Sequence, residues 1–156
     1  MSNILKLVIS VVVCLAAGFV GSIFTADAIP GWYATLNKPE FNPPNWIFAP
    51  VWTTLYIMMG ISFFLVWKEG TGNALVKRAM TVFIIQLVLN MLWSIVFFGM
   101  HSISGGLVVI ILLWISIVLT IIRFQKISSI SGILLVPYLL WVTFASVLNF
   151  FFYRLN

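Results

Sequence analysis

Five long apolar stretches constrain this chain more than any other feature of its sequence. Each is close to the ~20 residues that an α-helix requires to cross a bilayer. Only 7% of the 156 residues are charged and 63% are hydrophobic, whereas soluble domains carry roughly 25% charged residues. The sequence therefore predicts an all-α membrane protein, a five-transmembrane-helix bundle that forms one domain over residues 1–156. We place its spans at about 4–25, 47–67, 79–100, 103–123 and 130–153.

The first stretch shares features with a secretory signal peptide. Lys6 precedes an apolar core, and the small residues of TADA follow it. The apolar run is long for a signal peptide, and the other four spans need a neighbour to pack against, so we interpret it as a first membrane helix. Cys14, the single cysteine, lies inside this span and indicates neither an intrachain disulfide nor a cysteine metal site.

Basic residues predict the orientation in the membrane. Lys38 and Arg154 lie at one end of the bundle, and six basic residues lie at the other, namely Lys6, Lys68, Lys77, Arg78, Arg123 and Lys126. Because cytoplasmic segments are enriched in lysine and arginine, we expect a cytoplasmic N-terminus and an external C-terminus, in a bacterial plasma membrane. This distribution explains the net charge of +5 without a nucleic-acid partner.

A Pro-rich connection joins the first two spans. Prolines 39, 43, 44 and 50 restrict their own φ angles and the residues before them, so residues 38–46 cannot form a regular helix. Long ordered connections of this kind are more often functional than not. We expect a structured lid on the external face. Its Lys38 is interpreted as a solvated cation, with a ligand carboxylate as the alternative partner.

Polar residues recur along the third span. Gln86, Asn90 and Ser94 are spaced four residues apart, and Trp93 and Phe97 flank the same face. Polar side chains within a bilayer need partners, because an unsatisfied amide in hydrocarbon costs several kcal/mol. The pattern fits either hydrogen bonds between helices or the polar lining of a cavity.

Small residues mark the first span and a proline marks the fifth. Gly18 and Ser22, like Ala17 and Gly21, are four residues apart, which favours close packing either within the chain or in a dimer. Pro137 removes one backbone hydrogen bond and should kink the last span.

The aromatic residues of the second span and the single histidine can each be interpreted as structural or as functional. Trp52 and Tyr56 in the second span lie near the lid and form either core packing or a ligand surface. The only histidine, His101, is interpreted as a solvated turn residue rather than as a metal ligand, since no carboxylate accompanies it. The fourth span is almost entirely aliphatic and is interpreted as lipid-facing scaffold.

Three aromatic-rich blocks carry a family resemblance. They are PPNWIFAPVWTTLY at 43–56, NMLWSIVFF at 90–98 and PYLLWVTFASVLN at 137–149. These blocks resemble the tryptophan-rich sensory protein, or translocator protein (TspO), family, and GWYATLNKPEF before them resembles the first loop of that family. The resemblance covers almost the whole chain. It implies a five-helix bundle, usually a homodimer, with a pocket beneath the first loop.

The resemblance also implies ligands. Members of this family bind porphyrins, animal relatives also bind cholesterol and benzodiazepine-type ligands, and some bacterial members are reported to degrade protoporphyrin IX under light to a bilin-like product. Tyr153 is followed directly by Arg154, so the sterol consensus fails and cholesterol is a poor candidate. The ligand-binding positions implied here are Trp32, Tyr33, Trp52, Tyr56, Asn90, Trp93, Ser94, Trp141 and Ala145.

The leading hypothesis is a porphyrin-binding membrane protein, with light-dependent oxidative degradation of protoporphyrin IX in a lidded pocket. Trp52 and Trp141 are the residues expected to carry the light-driven chemistry. The spans contain no catalytic triad, paired carboxylates or metal cluster, so the chemistry would come from the porphyrin as ligand or substrate, with no cofactor required. The alternative is a non-catalytic sensor or a transporter of porphyrins or other apolar ligands. Transport is less favoured, because no ionisable residue lies deep in a span.

Overall fold

A computed structural model describes all 156 residues and contains no β-strand. Five of its helical segments are long and apolar enough to cross a membrane, which confirms the predicted fold class. The protein is therefore an integral membrane protein. Its helices are α1 (Asn3–Ala28), α2 (Phe48–Trp67), α3 (Ala74–Ser94), α4 (Ile103–Gln125), α5 (Ser129–Leu134) and α6 (Val136–Leu155).

The third helix starts earlier than the sequence predicts. It begins at Ala74 rather than at about residue 79, because the side chain of Asn73 accepts a hydrogen bond from the backbone N–H of Leu75 and caps the first turn. Lys77 and Arg78, assigned to a connection from their charge, are therefore helical. At its other end α3 continues into a π-helical turn.

The last span is interrupted rather than only kinked. The helix breaks at Leu135, between α5 and α6, and Pro137 lies in the first turn of α6. A proline is tolerated there because the first N–H groups of a helix have no intrahelical partner. The predicted effect of Pro137 on the helix is confirmed, and it is larger than a bend.

Glycines allow α1 and α2 to approach closely at one end of the bundle. A Cβ added to Gly60 would lie 2.5 Å from Cα of Val11, so these two backbones are nearly in contact. One added to Gly18 would meet the ring of Tyr56, and one added to Gly21 would lie 3.1 Å from Oγ of Ser94 on α3. The small residues of α1 that face inward therefore pack within the chain, as small residues do in membrane bundles.

Contacts at the two ends of the bundle show how the helices alternate. Nζ of Lys6 lies 5.6 Å from the ring centroid of Trp67, which places the start of α1 beside the end of α2. At the opposite end, Asn156 bonds to Asn37 in the connection between α1 and α2. This connection, residues 29–47, is called the lid loop below. It contains short 3-10 turns at Tyr33–Thr35 and Asn45–Ile47 and otherwise no regular helix, in agreement with its prolines.

The fourth helix has two different faces. Ile110, Leu113 and Ile117 are completely buried against the rest of the bundle, whereas Ile111 and Ile115 face outward. The sequence interpretation of lipid-facing scaffold is therefore correct for only one side. Ser116 and Thr120 also lie on the buried side, and their hydroxyls donate to backbone carbonyls of α4 itself.

Replacing Gly60 with alanine should destabilise the bundle. The added methyl group would collide with the backbone of Val11, and overpacking of this kind costs typically 1–3 kcal/mol. Alanine also gains about 1 kcal/mol in helix propensity, so we expect a net loss of about 1 kcal/mol in the free energy of unfolding. Gly72→Ala is the control, because nothing lies within 4 Å of its added methyl group. Thermal unfolding in detergent measures both, and equal stability of the two variants would contradict the close contact.

Candidate ligand-binding site

A partly open cavity of about 530 Å³ lies beneath the lid loop. Its walls are formed by α1, α2, the end of α3, α6 and the loop itself. Cavities that hold small molecules typically measure about 300–1,000 Å³ and are lined mainly by apolar side chains with a few polar groups. This cavity has that size and lining, and it is the candidate site.

Three tryptophans from three different helices line the cavity: Trp52 on α2, Trp93 on α3 and Trp141 on α6. Trp52 is stacked on Tyr56 with ring centroids 5.6 Å apart, and Trp93 is stacked on Phe97 at 5.4 Å. Each ring is therefore held by an aromatic neighbour in one of the arrangements that such pairs prefer. The cavity presents aromatic faces from several directions.

Small residues make the space between these rings. Gly18 and Gly21 line the cavity on α1, and Ala145, which is 8% exposed, lines it on α6. Larger side chains at these positions would occupy the volume. The family resemblance included Ala145 among the ligand-binding positions, whereas the contribution of α1 was not predicted, although its small residues were visible in the sequence.

Seven of the nine predicted site residues line this one cavity. They are Tyr33, Trp52, Tyr56, Trp93, Ser94, Trp141 and Ala145. The other two, Trp32 and Asn90, do not.

Trp32 lies in a separate crevice at the outer end of the bundle. The crevice measures about 270 Å³ and also contains Asp27 and His101. The indole of Trp32 stacks on the ring of His101, with centroids 4.7 Å apart and planes 6° apart. Trp32 therefore fixes the lid loop to the turn between α3 and α4, and the expectation that it lines the pocket is corrected. His101 is exposed in that turn, as predicted.

Asn90 is buried behind the cavity wall, where both polar atoms of its amide are engaged. Its Oδ1 accepts a hydrogen bond from the Tyr56 hydroxyl at 2.5 Å, and its Nδ2 donates to the Tyr138 hydroxyl at 2.8 Å. The Tyr138 hydroxyl in turn donates to Oε1 of Gln86 at 2.6 Å, and Nε2 of Gln86 lies 3.9 Å from the sulfur of Met59. We call these five residues the polar chain.

The polar chain decides between the two interpretations of α3. Gln86 and Asn90 make hydrogen bonds to side chains of α2 and α6, whereas Ser94 lines the cavity. The polar residues of α3 therefore serve two purposes. Gln86 and Asn90 make hydrogen bonds between helices, and Ser94, one turn further along, lines the cavity. The position of Asn90 corrects the expectation that it contacts a ligand directly.

Trp141 carries an unpaired polar atom. Its Nε1 is the one buried side-chain nitrogen or oxygen in the protein that has no hydrogen-bond partner. By contrast, Nε1 of Trp93 donates to Oδ1 of Asn149 at 3.0 Å, and Asn149 donates to the carbonyl of Ile103 at 3.0 Å. A buried donor without an acceptor costs about 1–3 kcal/mol. This N–H is buried, so it is shielded from solvent as well as from the acceptors of the protein.

The lid loop closes the cavity with Tyr33. Its hydroxyl donates to Oδ1 of Asn42 at 3.2 Å. Burial raises the pKa of the Tyr33 hydroxyl, and the hydrogen bond to Asn42 opposes this shift only in part, so the group stays neutral over the physiological range. Nζ of Lys38 lies 5.0 Å from the Tyr33 ring centroid and donates to the carbonyl of Leu36 at 3.3 Å. Lys38 therefore stabilises the loop itself.

Comparisons with known proteins agree with this architecture. The profile of the TspO/MBR family matches residues 10–154. A tryptophan-rich protein TspO of Archaeoglobus fulgidus is 50% identical over 154 residues, which cover 99% of each chain. The tryptophan-rich sensory protein of Cereibacter sphaeroides is 38% identical over 92% of this chain and 86% of its own. The human translocator protein is 42% identical over 60% of this chain and 56% of its own.

Replacing Asn90 with leucine should lower stability rather than remove a ligand contact. The Tyr56 hydroxyl would lose its buried partner, at a cost of about 1–3 kcal/mol, whereas the Tyr138 hydroxyl would still donate to Gln86. The double variant Asn90→Leu/Tyr56→Phe removes the unpaired hydroxyl as well and should recover most of the loss, since apolar replacement of both partners is nearly neutral.

Thermal unfolding and ligand titration of both variants test this assignment. We expect the single variant Asn90→Leu to unfold at a lower temperature than the double variant Asn90→Leu/Tyr56→Phe. If Asn90→Leu kept the parental stability but lost ligand affinity, the original expectation of a direct ligand contact would be correct.

Proposed function

This chain belongs to the TspO/MBR family, and from this membership and the geometry of the cavity we propose that it binds a porphyrin beneath the lid loop. A porphyrin is flat, aromatic and largely apolar, with polar atoms at its centre and edge. The cavity offers the matching surfaces: aromatic rings on several sides, small residues between them and few polar atoms. Aromatic rings prefer offset or edge-to-face contacts, and Trp52, Trp93 and Trp141 can supply either to a macrocycle.

The single observation that carries this proposal is the meeting of three tryptophans from three helices at one cavity. A ligand with a large planar aromatic face can contact all three rings, whereas an aliphatic ligand would make no such aromatic contacts. Porphyrins have such a face.

We further propose that light drives oxidation of the bound porphyrin. The chemistry would come from the excited macrocycle and dioxygen, and the protein would hold the macrocycle against aromatic side chains. Trp52 and Trp141 line the cavity on different helices and are the residues proposed to relay an electron. A sensor or binder without turnover would use the same pocket, and the experiment below separates the two.

The orientation proposed for the protein places the lid loop outside the cell and the N-terminus in the cytoplasm. Its support is the excess of basic residues at the other end of the bundle, where Lys6 packs over Trp67.

Labelling of intact cells tests the orientation. In a Cys14→Ala background, a membrane-impermeant maleimide should react with Glu40→Cys in the lid loop before lysis, and with Gly72→Cys between α2 and α3 only after lysis. Both positions are exposed. The reverse pattern would invert the proposed topology.

Absorbance spectra of protoporphyrin IX, recorded with purified protein in the dark and then under light, test the function. We expect a saturable dark shift and then light-dependent loss of the porphyrin band. Trp52→Phe/Trp141→Phe keeps two aromatic rings but removes both indoles, so dark affinity should stay within about tenfold, the equivalent of one lost hydrogen bond, while the light-dependent loss should stop.

Trp46→Phe is the matched control, since Trp46 is 73% exposed and does not line the cavity. It should behave as the parent in both assays. Loss of porphyrin at the parental rate in the double variant would exclude the electron-relay role. A dark shift without a protein-dependent product would identify a binder or sensor. Absence of a dark shift would overturn the porphyrin assignment.

A further inference from the structure

We propose that the ligand enters the cavity sideways from the bilayer, through a gap between α1 and α2 at the lid-loop end of the bundle. We define the lateral gap by four residues, Ser22 and Ala26 on α1 and Ala49 and Thr53 on α2. The proposal rests on the proposed function, because a tetrapyrrole is taken as the ligand, and it adds where that ligand comes from.

The first support is the way α1 and α2 diverge. Their backbones nearly touch where Gly60 faces Val11. Further toward the lid loop a full tyrosine ring, that of Tyr56, stands against Gly18, and beyond it Gly21 faces α3 rather than α2. The two helices are therefore close at one end and apart at the other, and the cavity occupies the space that opens between them.

The second support is the exposure of the gap residues. Ser22, Ala26, Ala49 and Thr53 line the cavity and are also exposed on the surface of the bundle. Because these positions lie on membrane-spanning helices, the surface around them contacts lipid. A side chain that faces both the cavity and the lipid marks an opening between the two.

The chemistry of the gap suits passage of an apolar molecule. The residues are small, and each helix contributes two that are four positions apart and so lie on one face. The hydroxyls of Ser22 and Thr53 donate to the backbone carbonyls of Phe19 and Ala49, both at 2.7 Å. Their hydrogen bonds are thus satisfied within their own helices, and a passing ligand would not have to break them.

The third support is that the lid loop closes the aqueous side. The backbone N–H of Asn37 donates to Oδ1 of Asn156 at 2.9 Å, and Nδ2 of Asn156 donates to the carbonyl of Asn37 at 2.9 Å. Phe41 packs edge-on against Phe151 with centroids 5.2 Å apart. The stack of Trp32 on the turn before α4 holds the other part of the loop. The loop is therefore attached to α6 and to the α3–α4 turn, although its exposed Asn45 also lines the cavity.

The position of the gap also specifies the kind of ligand. Ala26 and Ala49 lie at the loop end of their helices, near the headgroup level, and Ser22 and Thr53 lie one turn deeper, about 6 Å. Consider a flat amphipathic molecule whose carboxylates remain among the headgroups while its apolar part lies in the hydrocarbon. Its apolar part would lie level with the gap and could enter first. Protoporphyrin IX dissolved in the membrane leaflet on the loop side has this chemistry.

The test compares a blocked gap with a locked loop. Ala26→Phe/Ala49→Phe fills the gap. Asn37→Cys/Asn156→Cys in a Cys14→Ala background, joined by a short bifunctional thiol reagent, locks the loop. Ala16→Phe adds the same bulk at an exposed position of α1 outside the cavity and is the control. Transfer of protoporphyrin IX from vesicles to reconstituted protein is followed by stopped-flow fluorescence.

We expect the blocked gap to slow association and dissociation together by at least about tenfold, because an obstructed route changes both rates. Slower association with parental dissociation would mean that the phenylalanines occupy the binding space, and it would overturn the proposal. The locked loop and Ala16→Phe should transfer at the parental rate. Slow transfer with the locked loop, or parental transfer with the blocked gap, would overturn the proposal.

A second measurement does not depend on porphyrin binding. A phosphatidylcholine that carries a photoreactive diazirine on its acyl chain should label Trp93 and Ser94, which lie on the cavity wall formed by α3, and the blocked gap should abolish this labelling. Labelling without any porphyrin shift would retain the lateral route and reject the porphyrin. Absence of labelling at both residues in the parental protein would reject the route.

Discussion

Water is absent from the core of a bilayer, and this constraint organises the protein. Polar side chains inside the bundle are stabilised by partners within the protein, and Tyr56, Asn90, Tyr138 and Gln86 bind one another. The polar chain ties α2, α3 and α6 together at one level. Each of those helices places a tryptophan of the cavity one turn away: Trp52 is four residues from Tyr56, Trp93 three from Asn90 and Trp141 three from Tyr138. The hydrogen bonds thus fix the spacing of the aromatic rings above them.

The cavity exists because the close packing of α1 against α2 does not continue to the lid-loop end of the bundle. Below it, glycine allows α1 and α2 to meet backbone to backbone. Above it, Tyr56 and Trp52 separate the same two helices, and small residues on α1 leave the space unfilled. If small residues lined the whole interface between α1 and α2, the two helices would pack closely along their entire length and leave no cavity. The alternation of glycine with aromatic residues along one helix pair is therefore what makes room for a ligand.

Much of this arrangement could be predicted from the sequence. The features that were missed depend on contacts between residues that are distant in the sequence. The five spans follow from length and hydrophobicity, and the effect of Pro137 follows from its missing N–H. Seven of the residues that line the cavity could be identified because the aromatic blocks resemble a known family. Asn90 was predicted to line the cavity because periodicity shows which face of the helix a residue is on. Periodicity does not show where along that face the packing against other helices ends and the cavity begins. Trp32 was misplaced because the path of an irregular loop depends on a partner, His101, that is distant in sequence. The inner face of α4 was missed although Ser116 and Thr120 mark it, because the sequence analysis weighed only the aliphatic character of the span.

The direction of each bond in the polar chain has a consequence for the membrane as an electrical barrier. The chain runs from the Tyr56 hydroxyl through two amides and a second hydroxyl to the thioether of Met59, which cannot take up a proton at physiological pH. No carboxylate or imidazole belongs to it, so a proton that reached Tyr56 would have no base to move to. The chain also begins and ends on α2, at Tyr56 and Met59, so it stays at one level of the bilayer and offers no path for protons across it.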